Sequence, residues 1–117
     1  MKLEDCSKEE LIHFIKRNSF CGPSDLEFEV MMFRSEMASM KSGAEGIRAC
    51  DALGEYTGLL APFEGRGWED VPDEIISKAS EALKNYEIHT KRAEKYRKQY
   101  DAIHKRIDEL LYVRETR

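Results

Sequence analysis

IISKASEALKNYEIHTKRAEKYRKQYDAIHKRIDELL, residues 75–111, contains no proline or glycine. Counting from Ile75 in alternating steps of four and three lands on Ala79, Ala82, Tyr86, His89, Ala93, Tyr96, Tyr100, Ile103, Ile107 and Leu110. That unbroken series is a heptad seam, the apolar stripe by which one long helix packs on another. In the same register Lys84, Lys91, Lys98 and Lys105 recur every seven residues on the outermost face. Glu87, Glu94 and Asp101 stand four residues before three of those lysines, the acid-first order worth about 0.2–0.5 kcal/mol per pair. A solvated face supported by its own ion pairs therefore outweighs a dedicated phosphate-binding stripe.

Working outward, Pro72 with Asp73 and Glu74 behind it opens this helix, since proline suits the first helical position and carboxylates the first turn. A helix over about 72–113 would be on the order of 60 Å long, more than a compact domain of this size spans. It implies an elongated molecule. Before it, Ala61-Pro62-Phe63-Glu64-Gly65-Arg66-Gly67-Trp68 has the densest turn signals in the chain and predicts a tip loop over about 61–71. Ser24-Asp25-Leu26-Glu27 is a capping box that opens a second helix over about 25–60. Its apolar positions are Leu26, Val30, Phe33, Met37, Met40, Ala44 and Ile47, and the glycines at 43 and 46 predict a kink or break there. Ser7-Lys8-Glu9-Glu10 is a second capping box and starts a short helix over about 7–18. The expected fold is all-α, in one helical domain: a short N-terminal helix and a long antiparallel helical hairpin with a coiled-coil-like heptad seam. At the open end the three helices would share a core of Leu11, Phe14, Ile15, Phe20, Leu26, Val30, Phe33, Ile103, Ile107 and Leu110.

The chain has 117 residues, of which 36% are charged and 41% hydrophobic. So polar a composition leaves a thin core, which disulfides, a metal or a second copy commonly complete. Cys6, Cys21 and Cys50 are odd in number and form no CxxC pair, which argues against a disulfide framework or structural zinc. Self-association, with a dimer favoured, is the remaining expectation. The apolar residues form no signal peptide and no run of about 20 that a membrane span needs, so a cytoplasmic protein is expected. Charge is uneven along the chain. Residues 1–80 carry 9 Lys/Arg against 16 Asp/Glu, and residues 81–117 carry 10 against 7.

Tyr86, His89, Ala93, Tyr96 and Tyr100 are the expected self-interface, because tyrosine buries a large area while its hydroxyl finds a polar partner. Phe63, Arg66 and Trp68 at the tip are the candidate partner-binding residues, since Trp and Arg are frequent interface hot spots. The competing reading folds Phe63 and Trp68 inward as a plug. Met32 and Met40 are further candidates if exposed. His13, His89 and His104 make no HxxxH, HExxH or ExxH pattern, and His89 is better read as a polar residue that sets register in the seam. No GxSxG, Gly-rich phosphate loop or catalytic cysteine context occurs, so neither enzyme activity nor a cofactor is expected. An alternative function is nucleic-acid binding through Lys84, Lys91, Arg92, Lys95, Arg97, Lys98, Lys105 and Arg106, with tyrosines interleaved as stacking partners. The acidic first 80 residues oppose that reading by repulsion.

In format, a short acidic helical chain opening on the capped SKEELIHFIKR helix, the sequence resembles small accessory proteins of bacteriophages and mobile elements. The resemblance implies a protein that inhibits a host enzyme or defence complex by binding it.

Overall fold

The computed structural model describes residues 1–21 and 25–116, and their side chains except those of 19–21 and 114–116. Among the described residues there are three α-helices, α1 (Lys8–Cys21), α2 (Leu26–Leu60) and α3 (Asp73–Thr116), with one short 3₁₀ turn before α1 and two between α2 and α3, and no strand. The chain is an all-α helical hairpin preceded by a short helix. It divides into two compact units, one of Met1–Met40 with Tyr96–Arg117 and one of Lys41–Lys95.

The caps explain the starts. At α1 the Ser7 amide donates to Glu10 Oε1 (2.8 Å) and the Glu10 amide to Ser7 Oγ (3.2 Å), the full reciprocal box. At α2 the Phe28 amide donates to Asp25 Oδ1 (2.9 Å), so Asp25 caps this helix; Ser24, expected to do so, lies outside the described residues. Pro72 sits one place before α3, and its carbonyl accepts from Ile75 and Ile76 at 3.0 and 3.1 Å. It closes the first turn rather than occupying it.

α2 is the one long helix expected, and it continues without a break through Gly43, Gly46, Gly54 and Gly58. A propensity cost of about 1 kcal/mol per glycine is small beside the tertiary packing that holds most protein helices.

The first unit packs α1, the start of α2 and the end of α3. Val30 is its most deeply buried residue, with Ala38 and Ile107 nearly as inaccessible, and Leu11, Phe14, Leu26, Phe33, Ile103 and Leu110 half-buried around them. Two expectations need revision. Ile15 is 63% exposed, because α1 is turned so that Glu10 faces inward to Arg34. The Phe20 side chain lies outside the described residues.

In the second unit the remainder of α2 packs against residues 73–95 of α3. Its core is alanine: Ala49 and Ala52 from α2, Ala79 and Ala82 from α3, closed by Val71. Met40, Ala44 and Ile47, expected on the buried face of α2, are exposed instead. The inward positions pass through Ala38, Glu45, Ala49 and Ala52. A helix with 3.6 residues per turn drifts from a strict alternation of four and three, and the carboxylate of Glu45 is held inward by its partners. On α3 the expected seam holds: every member from Ile75 to Leu110 is buried or half-buried.

Candidate functional site

The tip that joins α2 to α3 is a chain of tight turns. Residues Ala61–Phe63 form a 3₁₀ turn with Pro62 inside it, and the Glu64 amide donates to the Ala61 carbonyl at 3.2 Å. Arg66 N then donates to the Phe63 carbonyl (3.1 Å) across Gly65, whose φ of +81° is readily adopted by glycine but not by residues with a Cβ. A second 3₁₀ turn, Trp68–Asp70, follows, with Asp70 N to Gly67 O at 3.0 Å and Val71 N to Trp68 O at 3.1 Å. Gly67 has a separate reason to lack a side chain. The Glu69 carboxylate folds back over it, and a Cβ there would fall 2.5 Å from Oε1.

These turns fold the segment around an open cleft of about 560 Å³, walled by Tyr56, Leu60, Phe63 and Trp68 with Val71 and Arg66 beside them. That volume lies within the range of small-ligand and side-chain pockets. Val71 is the residue that turns inward, at 8% exposure, while Phe63 is half-buried and Trp68 is 64% exposed. The three tip residues singled out in the sequence thus line one cleft, and the inward plug is Val71 rather than the tryptophan. Arg66 forms no ion pair among the described residues.

His89 sits in the α3 seam and its Nδ1 lies 2.6 Å from Glu45 Oε2 on α2. An ionised carboxylate only accepts, so Nδ1 carries the proton of this bond whether or not the ring is charged. Arg48 Nη1 donates to the other oxygen, Oε1, at 2.9 Å. The hydrogen bond from His89, and then the charge of Arg48, hold the Glu45 carboxyl below the usual carboxylate range although burial opposes this. Nearby, Ser42 Oγ donates to the Ala93 carbonyl at 3.2 Å. In the other unit Tyr100 stacks on His104 with ring centroids 4.3 Å apart, and His104 Nε2 is 2.8 Å from Ser35 Oγ. Tyr86 and Tyr96 are half-buried. The expected self-interface residues therefore have much of their surface already engaged by their own chain. Among the described residues no three His, Cys, Asp or Glu side chains are placed to hold a metal.

The eight basic residues of α3 expected to contact nucleic acid are all exposed, but they are not equivalent. Arg106 is committed to Glu27 at 2.5 Å and to Glu109 at 3.1 Å, which holds it more firmly protonated. Lys84, Lys91, Arg92 and Lys95 belong to the second unit, and Arg97, Lys98 and Lys105 to the first.

Two polar centres were not anticipated. Arg34 binds Glu10 through Nε and Nη2, the latter 3.0 Å from Oε1, and reaches the Asp5 carbonyl at 3.0 Å. Its hydrogen bond lowers the Glu10 pKa despite burial. Glu45 is the other, with 7% exposure. Their only sequence signal was a glutamate standing where a neighbouring helix would pass. The first unit also has a groove of about 490 Å³ bordered by His13, Phe28, Phe33 and Tyr100, with the exposed Met32 and Met40 on its rim.

No family model matches this sequence, and no curated protein or solved structure matches it. No helix among the described residues is long and apolar enough to cross a membrane.

Proposed function

We propose that this chain is a non-enzymatic helical interaction protein that self-associates, with a dimer favoured, and binds a partner protein through the tip cleft. Its most specific form is a cytoplasmic accessory protein of a phage or mobile element that inhibits a host enzyme or defence complex by occupying its surface. The observation that carries the reading is Trp68, 64% exposed beside the apolar cleft formed by Tyr56, Leu60 and Phe63. A large aromatic left in water next to a ready-made pocket is the usual anatomy of an interface anchor.

Quantitative affinity capture from a bacterial lysate, comparing the wild-type chain with Trp68→Ala/Phe63→Ala, tests it. A protein retained by the first and lost with the second, at equal helix content, supports the reading; identical capture by both overturns it. For self-association the test is absolute mass by light scattering behind size exclusion. A dimer that Tyr96→Glu/Tyr100→Glu dissociates supports assembly through the seam, whereas a folded monomer in both removes it.

A second reading, nucleic-acid binding, is favoured by the exposure of Lys84, Lys91, Arg92 and Lys95 along one segment of α3. Binding of DNA or RNA that falls steeply with salt and is lost on Lys91→Glu/Lys95→Glu would favour it over the first.

A further inference from the structure

We propose that the occupant of the tip cleft is a basic protein segment: a stretch rich in Lys and Arg that inserts one aromatic or leucine anchor between Phe63 and Trp68. This rests on the reading of the tip as a docking site and adds the chemistry of what docks there.

Charge at the tip is one-sided. Residues 55–74 carry six acidic side chains, Glu55, Glu64, Glu69, Asp70, Asp73 and Glu74, against one basic side chain, Arg66. All six are exposed, and Glu64 lies on the cleft wall itself. Apart from Arg66, Glu64 and Thr57 the pocket is apolar or aromatic. Thr57, the hydroxyl at its edge, donates to the Gly54 carbonyl at 3.1 Å and so already has a partner. The cleft thus offers burial to an apolar side chain and little to a polar one. Glu74 is paired with Lys78 at 3.2 Å; the other five carboxylates of this stretch outnumber Arg66 and create a negative potential that attracts Lys and Arg and repels an acidic segment, a nucleic acid or an anionic lipid surface. Charges within about 10 Å act together at 0.1 M salt, so the field falls off as salt rises. Complementary charge at the rim and an anchor at the centre is the arrangement by which interfaces gain both speed of encounter and register.

Trp68 is the chain's one tryptophan, so its emission reports on the cleft without any label. The full-length protein is titrated with three synthetic nonapeptides: alternating Lys and Arg with a central Phe, the same peptide with a central Gly, and alternating Glu and Asp with a central Phe. The basic Phe peptide is expected to change Trp68 emission saturably, with the Gly and acidic peptides about tenfold weaker or worse. Its affinity should fall several-fold between about 50 and 300 mM salt. Phe63→Ala should weaken it with Trp68 retained as reporter. Arg66→Glu, which removes the one opposing charge, should strengthen it, a gain that misfolding does not produce.

If the acidic Phe peptide binds as well as or better than the basic one, the cleft remains a docking site and the basic partner is overturned. If neither Phe peptide perturbs Trp68, both this inference and the docking role fall. If Trp68 emission instead changes with protein concentration alone, in step with mass by light scattering, a second copy fills the cleft and the inference is likewise overturned.

Discussion

Lys41–Lys95 buries Ala49, Ala52, Val71, Ala79 and Ala82 with one charged residue, Glu45, whereas the unit of Met1–Met40 with Tyr96–Arg117 buries Val30, Ala38 and Ile107 together with Ser35 and the charged Glu10. Alanines on both helices let two backbones approach closely, with little side-chain entropy lost and few apolar atoms per contact. Where three helices pack, larger side chains are joined by polar pairs between helices: Arg34 with Glu10, Arg106 with Glu27, His104 with Ser35. A chain so rich in charge thus builds cohesion in two ways, mainly by close approach of alanines where two helices meet, with Glu45 held by His89 and Arg48, and by larger side chains with ion pairs where three do. The first tolerates added volume poorly; the second tolerates lost partners poorly.

Ile107→Ala has the largest expected effect on the first unit. At 4% exposure this is the most deeply buried apolar side chain that α3 gives the first unit among the described residues, and its loss should cost about 2–5 kcal/mol in urea unfolding. Ala82→Leu is the matching assault on the second unit. Ala82 is 2% exposed, and three added carbons have to force the helices apart at a cost of about 1–3 kcal/mol. Hydrogen exchange should localise the loosening to residues 41–95 in that variant and to the other unit in Ile107→Ala.

Arg34→Met comes next, at about 1–2 kcal/mol, because it strands the inward-facing carboxylate of Glu10 while water at the partly exposed position takes up some of the lost pairing. The same carboxylates set the acid limit. Glu10 and Glu45 both have folded pKa values below their ordinary ones. Their contribution is therefore complete above the ordinary carboxylate range and is lost as pH falls through it toward the folded values. Urea midpoints measured from pH 7 down to pH 3 should fall for the wild type, and Glu10→Gln and Glu45→Gln should each flatten part of that slope. The smallest effect runs the other way. A Cβ at Gly54 meets nothing within 4 Å, so Gly54→Ala should stabilise α2 by about 0.5–1 kcal/mol, read as a raised urea midpoint.

The period of residues 75–110 and the capping residues Ser7 and Asp25 are local properties, written in spacing and in hydrogen-bonding groups next to the backbone they cap. From them the helices, the hairpin, the seam of α3 and the tip that gathers Phe63, Arg66 and Trp68 follow by the sequence alone. Which face of α2 turns inward does not follow. Met40 and Ile47 are the greasier residues, yet Ala49 and Ala52 are buried, because the partner α3 offers alanine at 79 and 82 and a histidine at 89 that draws in Glu45. Likewise the rotation of α1 that exposes Ile15 depends on Arg34, 24 residues from Glu10. Hydrophobicity read along one helix ranks candidates for burial, but the selection belongs to the shape and charge of the helix it meets. That is why the outline of this protein was set by its sequence, while its buried charges and the open cleft at its tip were decided only when the helices packed.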